Sequence, residues 1–245
     1  MMRNKKIEKK DEIWMADPRM SGVSCTIDNR VQTGYKNTGK SVYNASGGKY
    51  YVEPLQGCVN DCYFIAALVS GAWAANSKLR IHPNYRFYKT ENPVGWGNWF
   101  TINEDLALDS TNNLVYGRSS TMYIWSCLYE KAYAVWKSGS QTPVIKDVLN
   151  GGNGLDALLH IFGGAKTSGA FQWDAAAGNK TKYPSVAKAA NGNTIGLTGN
   201  HTYSVLKKTA AGIELRNPCG GAVITVPSNS FNAQNFSEWG YVIPA

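Results

Sequence analysis

Gln56-Gly57-Cys58-Val59-Asn60-Asp61-Cys62-Tyr63-Phe64-Ile65-Ala66-Ala67 is where the character of this chain changes. Up to Asp61 the residues are turn formers. From Cys62 to Ala74 the sequence is apolar almost all round, which predicts a buried central helix and not a surface one. Asn60 or Asp61 stands where a cap would accept the first free N–H groups of that helix. Cys62 then falls in the first turn. A free cysteine beside an apolar run is ordinarily a small buried hydrophobe. At a helix N-terminus, however, the macrodipole favours thiolate over thiol, and the polar loop in front can expose the sulfur. Cys62 is therefore a candidate nucleophile with an expected low pKa. Gln56 could donate to an oxyanion formed there, with the backbone N–H of Cys62 as second donor. By itself, a loop glutamine is only polar surface.

Working outward, residues 1–20 are polar and unpatterned, and residues 21–50 are rich in Gly, Ser, Asn and Thr, so 1–50 reads as an N-terminal arm with loops. A second helix is predicted near Met122 to Trp136, because Trp125, Leu128, Tyr129, Ala132, Tyr133 and Trp136 recur at three- and four-residue spacing. A shorter one is predicted near Leu155 to Phe162, after Gly151-Gly152-Asn153-Gly154. Beyond about residue 166, strands are predicted at 194–197, 201–206, 212–216 and 222–226, joined by Gly/Asn turns and suited to an antiparallel sheet. A helical lobe over 51–165 followed by a sheet lobe over 166–245 is an α+β arrangement with a cleft between the lobes.

The search for a base is short, because the chain has three histidines. His82 precedes a proline in a loop and reads as a surface residue, while His160, inside Leu158-Leu159-His160-Ile161-Phe162, reads as a structural one. His201 opens a strand, and Asn217 ends the next, in Leu215-Arg216-Asn217-Pro218. Two consecutive antiparallel strands can bring those ends together, so that Asn217 orients the His201 ring. A nucleophile–base pair requires such a third member.

The order Cys, His, Asn on helix, strand and strand brings a family into view. The segment 56–67 resembles the calpain active-site segment, Gln-Gly, two variable positions, Gly/Asn-Asp-Cys-Trp. Tyr129-Glu130-Lys131-Ala132-Tyr133-Ala134 resembles Leu-Glu-Lys-Ala-Tyr-Ala, and Asn150-Gly151-Gly152 is similar to a Ser-Gly-Gly turn that binds substrate backbone. Gly199-Asn200-His201-Thr202-Tyr203-Ser204-Val205 resembles Lys-Gly-His-Ala-Tyr-Ser-Val, and Leu215-Arg216-Asn217-Pro218-Cys219-Gly220 resembles Leu-Arg-Asn-Pro-Trp-Gly. The resemblance implies a papain-like, two-lobe cysteine endopeptidase that hydrolyses peptide bonds through an acyl-enzyme. Cys62 would attack, His201 would act as base and then acid, and Asn217 would orient His201. Gln56 and the Cys62 N–H would hold the oxyanion, Gly151 and Gly152 would lie against substrate backbone, and Asn200 would form part of the substrate-side wall. Glu130 to Ala134 reads as structural packing.

Three departures from the pattern bear on the site. Tyr63 replaces a tryptophan, Asn200 replaces the glycine before the histidine, and Cys219 replaces the tryptophan that shields the Asn–His contact, a space that Trp173 or Trp239 could fill. No cofactor is expected. Calcium is conceivable within the core, but acidic residues are sparse near the relevant loops, so calcium independence is expected.

Composition bounds the alternatives. Apolar residues make up 43% and charged ones 17%, which is globular and not disordered. The net charge is +8, and Arg3, Lys5, Lys6, Lys9 and Lys10 against Glu8 supply half of it, as a solvated tail. The expected partner is a protein or peptide substrate, with no nucleic acid. No stretch approaches the roughly 20 apolar residues of a membrane span, and no secretory signal is visible, so a cytoplasmic protein or a delivered effector is expected. Five cysteines, at 25, 58, 62, 127 and 219, do not read as a disulfide framework. The spacing of Cys58 and Cys62 suits zinc only if a second pair exists, and none lies at finger-like distance. A transglutaminase-like acyltransferase or amidase would use the same scaffold, but usually with Asp in place of Asn217. An inactive binding homologue would usually have lost one of the three residues.

Overall fold

The computed structural model describes residues 30–57, 59–89, 97–121 and 123–245. The basic run at 3–10, the expectation that residues 1–20 are dispensable, and Met122 at the expected start of the second helix lie outside these residues.

Helix α1 (Cys62–Ala74) is buried on every side from Cys62 to Ala72, as its unbroken apolar sequence requires. Its side chains reach α2 (Trp125–Ser138), where Phe64 stacks on Tyr133 with centroids 4.2 Å apart. Helices α3 (Ile145–Leu149) and α4 (Gly154–Phe162) complete this layer, and α1 packs closely on α4. Burying each large apolar side chain here stabilises the fold by about 2 kcal/mol. Three antiparallel strand pairs edge the helices: β1 (Gly34–Asn37) with β5 (Asp105–Leu108), β2 (Pro54–Leu55) with β6 (Arg118–Ser119), and β3 (Asn84–Tyr85) with β4 (Phe100–Thr101). Residues 34–43 are thus attached to the helical lobe, with Tyr35, Val42 and Tyr43 against its core.

The rest of the chain forms one antiparallel sheet. Its strands are β7 (Ala165–Ser168), β8 (Trp173–Asp174), β9 (Lys180–Thr181), β10 (Ser185–Ala189), β11 (Thr202–Thr209), β12 (Gly212–Arg216), β13 (Val223–Val226) and β14 (Phe236–Ile243). The main order is β13-β12-β11-β10-β14-β7, with β9 joining β11 to β8. A second core fills this lobe around Tyr203, Val205, Leu215 and Phe236. The architecture is α+β and papain-like, with helices first and the antiparallel sheet after them.

The strand predicted at 194–197 is a turn. Asn193 takes over the ladder's role there: its Oδ1 accepts from Leu197 N, and its Nδ2 donates to Ala190 O and Leu197 O. Local side-chain bonding of this kind competes with strand pairing. The strands β7, β10 and β14 carried too little alternation to be predicted. β10 is alanine-rich, and β14 is interrupted by Gly240.

Helix α1 lies between the two cores and is bonded directly to the sheet. Ser204 Oγ donates to Ala66 O (2.8 Å), and Trp73 Nε1 donates to Leu206 O (2.8 Å). The residue that begins α1 is therefore held at the junction of the lobes.

Candidate active site

Cys62 is the first residue of α1 and is nearly buried, at 4% exposure. Asp61 stands at the N-cap, but its side chain makes no capping bond. Its main-chain O accepts from Phe64 N (2.8 Å) and Ile65 N (3.1 Å). The carboxyl instead turns inward to the carboxyl of Glu130, whose Oε2 accepts from Gly117 N (2.7 Å). Among the described residues no hydrogen-bond donor of another side chain reaches either oxygen of Asp61. Two carboxyls buried against one another bond by sharing a proton, and burial raises the Asp61 pKa accordingly.

A raised folded pKa makes this site stabilising below the ordinary carboxylate range, and that contribution is lost as pH rises through the raised value. Asp61→Asn keeps the shape and removes the titration. Denaturant unfolding between about pH 5 and 8 is therefore expected to show wild type losing stability relative to the variant as pH increases. A constant difference would mean that the carboxyls do not share a proton.

His201 immediately precedes β11, and Asn217 immediately follows β12. The antiparallel pairing of Ser204 with Arg216 brings those ends together. His201 Nε2 lies 2.8 Å from Asn217 Oδ1, and Cys219 N donates to the same oxygen at 2.8 Å. A backbone N–H can only donate, so the Asn217 oxygen, not its NH2, faces both groups. His201 Nε2 must then carry the hydrogen, which leaves a lone pair on Nδ1. All three residues are buried, and Tyr203 meets the His201 ring edge-on at 4.9 Å. The contact is thus kept dry without the family's tryptophan. Trp173 and Trp239 pack against the sheet core.

The electrostatics correct one expectation. Burial pushes the Cys62 thiol up, and the carboxyl of Asp61 adds to this, outweighing the opposite effect of Thr202. Burial also lowers His201, against the bond to Asn217, which raises it. The expectation of a low thiol pKa from the helix N-terminus therefore does not hold for this closed site. Desolvation opposes the thiolate that a helix N-terminus favours.

Gln56 is buried next to the turn that follows Asn217. Its backbone N donates to Pro218 O (2.9 Å), tying its loop to the Asn217 turn. Its Nε2 donates to Val59 O at 2.7 Å, so one of its two amide hydrogens is fixed there. Gly57 has no room for a side chain, because a Cβ would lie 2.0 Å from Tyr116 O. Gly151 N donates to Asn60 O (2.8 Å), which places the Gly151–Gly152 turn beside the residues leading into Cys62, and Gly152 lies against the ring of Tyr63. Asn200 is exposed with φ 54°, in the left-handed region. After glycine, asparagine is among the residues best tolerated there, which explains this exchange before the histidine.

The five cysteines do not read as a disulfide framework in the sequence, yet Cys219 is disulfide-bonded. Its sulfur lies 3.2 Å from Gln56 Oε1. Cys62 and Cys127 are free. Of the remaining histidines, His160 Nδ1 is 2.7 Å from the Tyr133 hydroxyl, within the helical core. His82 is more enclosed than a surface residue, with Nε2 3.6 Å from Glu104. Sequence reasoning also missed Arg216, one residue before Asn217 and 2% exposed, which donates from Nη1 to Pro54 O (3.0 Å) and from Nη2 to Val52 O (2.7 Å). Among the described residues, no three His, Cys, Asp or Glu side chains are grouped to hold a metal ion, and no helix is long and apolar enough to cross a membrane.

A buried helix with cysteine at its start, packed on an antiparallel sheet that carries a histidine–asparagine pair, is the architecture of papain-like cysteine proteases. Residues 40–242 match the model of the calpain family of cysteine proteases, and the chain belongs to that family. It is similar to calpain clp-4 of Caenorhabditis elegans, with 31% identity over 144 residues, or 53% of this chain. That stretch is 19% of the relative, so the chain corresponds to a small part of the longer protein.

Proposed function

We propose that the chain is a cysteine endopeptidase that cleaves protein or peptide substrates through a thioester acyl-enzyme, with Cys62, His201 and Asn217 as its triad. The observation that carries this reading is the doubly accepting Asn217 oxygen, which leaves His201 with a basic Nδ1. Thr202, the next residue, acts on the Cys62 thiol in the direction that favours thiolate.

In the first step the Cys62 proton passes to His201 Nδ1 while the sulfur bonds to the scissile carbonyl carbon. The resulting oxyanion is held by the Cys62 N–H and by Gln56. Collapse breaks the C–N bond, and the imidazolium gives its proton to the departing amine. Water, deprotonated by the same nitrogen, then hydrolyses the thioester, and the thiol regains its proton. Gly151 and Gly152 lie against substrate backbone, and Asn200 forms part of the substrate-side wall. No metal takes part in these steps, and activity without added calcium is expected.

Incubation with an epoxide inhibitor selective for activated cysteines, followed by peptide mapping, is expected to give one adduct at Cys62, with or without calcium. An unbiased peptide mixture should be cut at internal bonds. A folded protein that gave neither adduct nor cleavage would overturn this reading.

A further inference from the structure

Thr202 follows His201 directly and opens β11. The family pattern His-Ala-Tyr has alanine at this position, so the hydroxyl is a feature of this chain. The side chain is fully buried, and its Oγ1 has no hydrogen-bond partner among the described residues. A hydroxyl taken out of water without a bond destabilises a fold, whereas an apolar group of the same shape does not.

The register of β11 against α1 places this hydroxyl. Residues two apart on a strand share a face, and Thr202 and Ser204 pair regularly with Lys188 and Val186 of β10. Ser204 Oγ donates to Ala66 O of α1, and Trp73 Nε1 donates to Leu206 O, so strand and helix run in the same sense. Cys62 lies four residues, or about one helical turn, before Ala66. Two strand residues advance about 6.6 Å and four helix residues about 6 Å. The step from Ser204 back to Thr202 therefore matches the step from Ala66 back to Cys62. On its other side the Thr202 methyl packs on Gly154, where a Cβ would lie 2.9 Å from it. A β-branched side chain held at one branch has little freedom at χ1, so the hydroxyl is held too.

The sulfur responds to this neighbour. Burial raises the Cys62 thiol and the Asp61 carboxyl adds to that, while the main chain and the side chain of Thr202 act in the direction that favours thiolate. The other titratable groups near the sulfur are His201, Glu130 behind Asp61, and the phenols of Tyr63 and Tyr203. Burial raises both phenols, which stay neutral where the enzyme would work.

We infer that Thr202 is a further catalytic residue, whose hydroxyl donates a hydrogen bond to the Cys62 sulfur as negative charge forms there. The inference rests on Cys62 as the nucleophile proposed above. During attack the thiol proton passes to His201 Nδ1, and the Thr202 hydroxyl keeps its own proton while directing it at the sulfur. A charge-assisted bond of this kind favours the thiolate by about tenfold or more.

Alkylation of Cys62 by iodoacetamide is followed across pH in His201→Ala, alone and combined with Thr202→Val or Thr202→Ser. Without the imidazole the rate follows the titration of the thiol itself. Loss of a donor to the thiolate raises that midpoint, by about one pH unit with Thr202→Val, while Thr202→Ser leaves it in place. Thr202→Ala supplies a second protein without the hydroxyl should the valine variant fail to fold. With His201 present, Thr202→Val is expected to lower kcat for peptide cleavage about tenfold at unchanged KM, and to melt no lower than wild type, because its hydroxyl has no bond to lose. A midpoint that neither valine nor alanine moves, or that serine moves equally, would overturn the inference. A midpoint that shifts as expected in a protein that cleaves nothing would support the bond to the sulfur and overturn the endopeptidase reading instead.

Discussion

His201→Ala is expected to lower the rate of peptide cleavage and of Cys62 alkylation by about 10³-fold or more, with the fold intact. The size of the effect follows from the electrostatics of the site. Burial raises the Cys62 thiol and lowers His201, which disfavours a stored thiolate, so the sulfur depends on a base during attack. A site that stored a stable thiolate would tolerate loss of the base much better in alkylation. The same shifts set the pH dependence. Cleavage should rise with pH as His201 loses its proton, and because burial lowers that pKa, the rise should lie below the ordinary histidine value of about 6.5. Asn217→Ala removes the bond that raises His201, so the rise should move to still lower pH while the maximal rate falls. Rates measured across pH for the three proteins provide the check. Alkylation that is unaffected in His201→Ala would remove the histidine from the mechanism.

The second large effect is on stability. Arg216→Ala is expected to destabilise the protein by about 4 kcal/mol, because two charge-assisted bonds are lost, two carbonyls are stranded and a cavity is left. For a chain of this size that corresponds to roughly 10 °C in the melting temperature. Arg216 lies in β12 of the sheet lobe, and its acceptors, Pro54 O and Val52 O, belong to the helical lobe. The variant should therefore also loosen the junction that holds Gln56, and cleavage should fall below that of wild type at temperatures where both are folded. Thermal unfolding followed by circular dichroism gives the first quantity. A shift of only a degree or two would mean that water replaces the guanidinium.

The helix at 62–74, apolar almost all round, and the one with three- and four-residue spacing through Tyr129 and Tyr133 were visible in the sequence because burial imposes its pattern on every turn. The strands through Val205 and Leu215 were visible for the same reason. β10 and β14 were not, since their pairing is set by neighbours distant in sequence and not by their own alternation. The apparent strand at 194–197 failed because one asparagine side chain satisfied the backbone locally.

Residue types and their order sufficed to name Cys62, His201, Asn217 and Gln56 as a set, because nucleophilic catalysis restricts which side chains can serve. The states of those groups depended on the surroundings. Only the folded chain buries the thiol deeply enough to raise its pKa, turns Asp61 from a helix cap into the partner of Glu130, and points a backbone N–H of Cys219 at Asn217 to fix the tautomer of His201. Only the fold sets Thr202 on the strand face that packs against the helix begun by Cys62. Identity and local pattern are carried along the chain. Desolvation, hydrogen-bond direction and the packing of one element on another depend on which distant residues meet, and those meetings exist only in three dimensions.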